Sequence, residues 1–145
     1  MPTINTINRN IMKFAPTEEL FGYESDSQLL VWMRPSEFLE KASKIKYETP
    51  AQIDKITNSL ANKMKEDNPI DPLLLDIDTV NCNVIDHEGR HRAMAAEKIG
   101  IAKVPVIIYL KNDQGDYISV KEYMKRATSA NTLNRCNILN ARRQE

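Results

Sequence analysis

A chain of 145 residues is one domain by size, long enough for a single core and too short for a second. Its 20 Lys and Arg balance 20 Asp and Glu, and a net charge of zero argues against a general nucleic-acid binder, whose affinity rests on neutralising many phosphates. No stretch is apolar for long enough to cross a membrane and none resembles a signal peptide. The two cysteines, Cys82 and Cys136, have no metal-ligand spacing, so a reducing, cytoplasmic location is the expectation.

Residues 1–26 mix Asn, Thr, Pro and Glu without helical or strand periodicity and are expected to form a loose arm, with Thr17 capping a short turn. The apolar run LLVWM (29–33), closed by Arg34-Pro35, reads as a buried strand. Ser36 is the expected cap of a short helix reaching Lys44. Thr49, Pro50 and Gln52 supply a cap, a first-turn proline and a capping-box partner, so a helix is expected over 50–66. Its stripe Ile53, Ile56, Leu60, Ala61 and Met64 should pack on the sheet, with Asp54, Lys55, Lys63 and Lys65 in water. Asn68-Pro69 should stop it, and residues 73–77 form the next strand, turning near Asp78. Cys82 then reads as a small buried hydrophobe on the following strand.

Residues 84–108 hold both histidines, His87 and His91, and two of the four glycines, Gly89 and Gly100, which bracket an Ala-rich helix over 90–99. Val84-Ile85 ahead and residues 104–110 behind make the unit strand, tight turn, helix, strand. Pro105 removes one ladder donor and predicts an edge or irregular start for the last strand. Asn112 to Asp116 is a turn, and Ser119 with Glu122 caps a further helix carrying the stripe Val120, Tyr123, Met124 and Ala127. Domain limits of 27–130 follow, with a tail over 131–145. That tail and the nearby Arg126, Arg135, Arg142 and Arg143 are either solvated or a contact for an acidic partner.

The helix start carries the chemistry. Arg90, His91 and Arg92 stand where the helix dipole disfavours cations, which makes sense if an anion, above all a phosphate, binds the exposed N–H groups. Gly89 would serve a positive φ or the close approach of a phosphate to the backbone. The alternative leaves Arg90 and Arg92 as solvated residues pairing Glu88 or Glu97, with His91 in the core. Asp86 and Glu88 are the adjacent carboxylates, able to meet Mg²⁺ or to accept a proton from an attacking hydroxyl. Equally, Asp86 would cap the turn and Glu88 pair with Arg92.

Residues 68–110 resemble the nucleotide-binding core of the ParB/sulfiredoxin superfamily: Pro69-Ile70-Asp71, then Glu88-Gly89-Arg90-His91-Arg92, Ala95-Ala96, and Gly100 to Val106. The resemblance implies an α+β fold with a small mixed β-sheet, and nucleotide phosphates held by Gly89, Arg90, His91 and Arg92. Asp71 would lie on the strand lining the nucleotide, and Asp86 and Glu88 would be the catalytic or Mg²⁺-binding carboxylates. It also implies ATP or another nucleoside triphosphate as cofactor. Arg90 replaces the catalytic cysteine of sulfiredoxins, and the short remainder of the chain has no room for the DNA-binding domain of partition proteins. An ATPase or phosphotransferase is the first expectation. The second is a nucleotide-responsive module of the kind found in bacteriophages and mobile elements, acting on a protein or DNA partner through its termini. A ParB-like nuclease is third, without a clear two-metal carboxylate cluster in its support.

Overall fold

Residues 25–42, 49–66 and 70–127 are described by the structure, a computed structural model of the chain. The expected arm up to residue 24 with its Thr17 turn, the helix end near Lys44, the Asn68-Pro69 stop and the tail over 131–145 lie outside them. Among the described residues the elements are β1 (Gln28–Met33), α1 (Pro35–Lys41), α2 (Pro50–Lys65), β2 (Leu73–Asp78), β3 (Asn83–Glu88), α3 (Arg90–Lys98), β4 (Val104–Lys111) and α4 (Val120–Ala127). They build an α+β unit on one mixed sheet of order β1-β4-β2-β3. β4 runs antiparallel to β1 and parallel to β2, while β2 and β3 form an antiparallel pair. Parallel neighbours cannot be joined by a tight hairpin, and here β3 and α3 span the connection.

Alternation along the strands divides the apolar residues between two faces. Val31 and Met33 of β1, Leu73, Leu75 and Ile77 of β2, and Val106, Ile108 and Leu110 of β4 enter the main core with Phe38, Met64, Ala93 and Ala96 from the helices. Leu30, Trp32 and Ile107, joined by Leu74 and Tyr109, form a smaller cluster on the opposite face. α3 packs on α1 and α2 and touches β2. The chief neighbour of α2 is thus α3, where the sequence suggested the sheet. On α2, Thr57 is buried and Ile56 is 39% exposed, so the buried stripe is rotated from the expected one.

The caps follow local chemistry. Thr49 Oγ1 accepts from Gln52 N at 3.1 Å and Gln52 Oε1 accepts from Thr49 N at 2.9 Å, closing the expected box. Ser119 Oγ likewise accepts from Glu122 N. α1 starts earlier than Ser36 suggested. Pro35 occupies its first turn, where a missing N–H costs nothing, and Glu37 Oε1 accepts from both N and Nε of Arg34.

Pro105 is not on an edge strand, since β4 lies between β1 and β2. It pairs in register with Trp32, but pairing to β2 begins one residue later, at Val106 with Leu73. On the β2 side there is no ladder bond for Pro105 to lose.

Cys82 also departs from expectation. It is half-exposed in the β2–β3 turn at φ 61°, not buried on a strand. The other cysteine, Cys136, lies outside the described residues. No helix among the described residues is long and apolar enough to cross a membrane.

The same turn is organised by Asp78, only 7% exposed, whose carboxylate accepts from Val80 N, Asn81 N and Asn81 Nδ2 at 2.9 to 3.2 Å. Burial pushes its carboxyl up, but the Asn81 side-chain bond and the two backbone bonds outweigh it and hold the group below its ordinary value of 3.8. A depressed folded pKa means stability that is present above the unfolded value and is lost as pH falls through the folded one. Asp78→Asn is therefore expected to cost about 1 to 3 kcal/mol at neutral pH and to flatten the acid limb of the stability curve below pH 3.8. Urea melts at several pH values measure both. An acid limb as steep as that of the wild type would exclude Asp78 as its source.

Candidate functional site

Gly89 ends β3 and opens α3, at φ 109° and ψ 17°. This is the left-handed region, reached at little cost only by glycine. An added Cβ would stand 2.8 Å from Leu73 Cγ and 3.1 Å from Arg92 Nη2. Of the two reasons for a glycine here, the backbone angle is realised, and the space beside it holds Leu73 and Arg92.

α3 therefore starts without a side-chain cap. No acidic residue stands in its first turn, which holds Arg90, His91 and Arg92, all half-buried. Ala93 N donates to Gly89 O, so the helical ladder begins there. Arg90 Nη1 lies 3.5 Å from Met94 Sδ, a weak acceptor. Arg92 is committed differently: its Nη1 donates to the carbonyl oxygens of Asp71 and Pro72, each at 2.8 Å, and its Nη2 stands 4.0 Å from Glu88 Oε1. The Arg92 side chain is 15% exposed, while that of Glu88 is 71% exposed.

The position of the carboxylates follows from a β-bulge. Asp76 opposes Asp86, yet Ile77 opposes Val84, so Ile85 is an extra residue in β3 and is 51% exposed. The shift reverses the alternation. Val84 packs against the main core, and the half-buried His87 stands opposite Leu75 on that same side. Asp86 and Glu88 are turned to the other face, opposite Asp76 and Leu74. With Leu74, Asp76 and Tyr109 they line an open cavity of about 370 Å³. An extra residue also bends this outer strand and, with its two acids, hinders the addition of another strand to it.

Asp86 Oδ1 accepts from His87 N at 2.8 Å. Beside it, Lys111 Nζ donates to Asp76 Oδ2 at 3.0 Å and lies 4.8 Å from the centre of the Tyr117 ring. The Asp76 hydrogen bond is the main reason that the Lys111 ammonium is held above its ordinary 10.5, against the opposing pull of burial, with the charges of Asp76, Tyr117 and Asp86 adding to it. A raised folded pKa gives stability that is full below the unfolded value and is lost only as pH rises through the folded one, so this pair is intact throughout the neutral range.

The structure thus brings Glu88, Gly89, Arg92 and the backbone of Asp71 together at the α3 start, with Arg90 and His91 in the same turn. Asp86, on the same face of β3 as Glu88 and lining the same cavity, lies over the Asp76–Lys111 pair. The sequence reading missed Asp76, Tyr109, Lys111 and Tyr117. Asp76 carried a signal, being the one charge inside the apolar run 73–77, whereas its partner Lys111 is 35 residues away and becomes a neighbour only through β2–β4 pairing. Among the described residues, no three His, Cys, Asp or Glu side chains converge on one metal position. No family profile matches the chain, and neither a curated protein nor a solved structure does.

Proposed function

We propose that the chain is a nucleotide-binding protein of the ParB/sulfiredoxin type, acting as an ATPase or phosphotransferase, with the phosphates of its nucleotide at the start of α3. The observation that carries this reading is the first turn itself: an uncapped helix end behind Gly89, with no acid and with Arg90, His91 and Arg92 in sequence. The positive dipole end of a helix start disfavours the charges of Arg90 and Arg92, and a bound anion reverses the sign of that interaction. Gly89, Arg90 and His91 would face the phosphates. Mg²⁺ would arrive with the nucleotide and meet Glu88 through water, because a hard cation that keeps its waters needs no cage of three carboxylates.

Calorimetry of the purified chain against ATP, ADP, CTP and GTP, with and without Mg²⁺, tests this. At least one nucleotide is expected to bind. Arg90→Ala should weaken it about ten- to a hundredfold, the equivalent of roughly 1.5 to 3 kcal/mol for a charge-assisted bond. Absence of binding to all four sinks the proposal.

A second reading, a nucleotide-responsive module that acts on a protein or DNA partner, is favoured by one observation. Asp86 is tied to its own strand and Glu88 is largely solvated, so neither carboxylate is fixed in place for chemistry. Such a module would bind nucleotide without consuming it. Nothing among the described residues favours the nuclease.

A further inference from the structure

The described helices all join the main core, α1, α2 and α3 through Phe38, Met64 and Ala93, and α4 through Tyr123. The cluster on the second face holds strand residues alone, yet Leu30 and Ile107 are 0% exposed there and Trp32 5%. β1 is also an outer strand among the described residues, and Leu30 to Met33 are nevertheless buried as whole residues, backbone included. An uncovered sheet face and a bare strand edge both stand in water. Face and edge are therefore covered by parts of this same chain outside the described residues.

Four stretches are available: 1–24, 43–48, 67–69 and 128–145. The second and third are short links that begin or end at α2, which belongs to the main face. The last follows α4, and its Arg135, Arg142 and Arg143 suit the acids Asp76, Asp86 and Glu88 on the β2–β3 half of the sheet better than the apolar β1–β4 half. Direction and composition favour the first. Ser25 and Gln28 pair across a tight turn, the N–H of each donating to the carbonyl of the other at 3.3 and 3.4 Å. Leu110 N donates to Ser27 O at 3.0 Å and Val120 N donates to Asp26 O, so the turn is anchored to β4 and α4. A tight antiparallel turn sends the chain before Ser25 back along β1, on the side away from β4. In extended form it comes level with Trp32 near Phe21, as far before the turn as Trp32 is after it. Leu20 and Phe21, with Ile4, Ile7 and Ile11 further back, supply the apolar surface that such a cover needs.

We infer that residues 1–24 are a docked cover and not a loose arm: they seat on Leu30, Trp32 and Ile107 and close the outer edge of β1. A partner that uses this face must displace them. The inference is independent of the phosphate site proposed above.

Trp32 is the only tryptophan in the chain, so its fluorescence reads the second face directly. In the full-length protein it is expected to emit in the blue and to resist quenching by acrylamide. Leu20→Asp with Phe21→Asp should shift the emission to the red and raise the quenching constant severalfold, while Leu133→Asp with Ile138→Asp should change neither. Circular dichroism reports whether each variant keeps its fold. If the first variant does not fold, NOE spectra of the wild type decide instead, with cross-peaks expected between the Trp32 ring and side chains of residues 1–24.

A folded Leu20→Asp, Phe21→Asp protein with Trp32 still shielded would overturn the inference. Exposure of Trp32 by the Leu133→Asp, Ile138→Asp pair, or cross-peaks from its ring to residues 128–145 alone, would overturn it in favour of the tail. Quenching that rises on dilution of the wild type would assign the face to a second copy, and free quenching at every concentration would leave it bare; either result removes the docked cover.

Discussion

Gly89→Ala is expected to lose roughly 3 kcal/mol of stability, about 1 to 2 from holding an L-residue in the left-handed region and a further 1 to 3 from overpacking. The second part comes from the new methyl, which would sit 2.8 Å from Leu73 Cγ, inside any real contact distance, in a residue that is itself fully buried. Leu73 cannot withdraw, because it begins the pairing of β2 with β4 opposite Val106. Gly100 is the internal control. Its φ is 79°, but an added Cβ there meets nothing within 4 Å, so Gly100→Ala should cost only about 1 to 2 kcal/mol. Urea melts of the two variants separate backbone strain from crowding. Equal losses would mean that Leu73 yields and that the β3–α3 junction is softer than its packing suggests. If the larger loss holds, the direction of the α3 start is set by the core beneath it, and the cations of its first turn inherit a fixed position.

That dependence on packing marks the boundary of what the sequence disclosed. The caps at Thr49 and Ser119, the strand run 29–33 and the glycine at the α3 start could all be read from local residues, since each is decided by chemistry within four positions. β3 could not. Asp86, His87 and Glu88 read as a polar turn, yet they belong to a strand whose side-chain phase is reset by the bulge at Ile85, and a bulge is defined only by the partner strand. Pro105 left two alternatives, an edge or an irregular start, and only the pairing decides between them: β4 is central, and β2 begins to pair one residue after the proline. At the candidate site, the sequence supplied the cationic turn but not the employment of Arg92. Its acceptors are backbone carbonyls some twenty residues earlier, and backbone leaves no trace in residue identity.

The bulge also shapes the expectation for Glu88→Gln, which removes a charge and keeps the shape. β3 sends Asp86 towards Asp76 and Lys111, so Glu88, 4.0 Å from Arg92, is the carboxylate left at the α3 start. If it meets a nucleotide-bound Mg²⁺ through water or takes a proton from the attacking hydroxyl, turnover at saturating nucleotide should fall by about a hundredfold or more. Binding measured without Mg²⁺ should barely change. Loss of the pairing to Arg92 cannot imitate this, because a 4.0 Å contact to a side chain 71% exposed contributes at most about 1 kcal/mol to stability and nothing specific to the reaction. Single-turnover and steady-state rates on the two proteins, with folding checked by urea melts, read the difference directly. Unchanged turnover in the Gln variant would take Glu88 out of the chemistry. With Asp86 held to its own backbone, that result would move the proposal from an enzyme to a module that binds nucleotide and passes the signal to a partner.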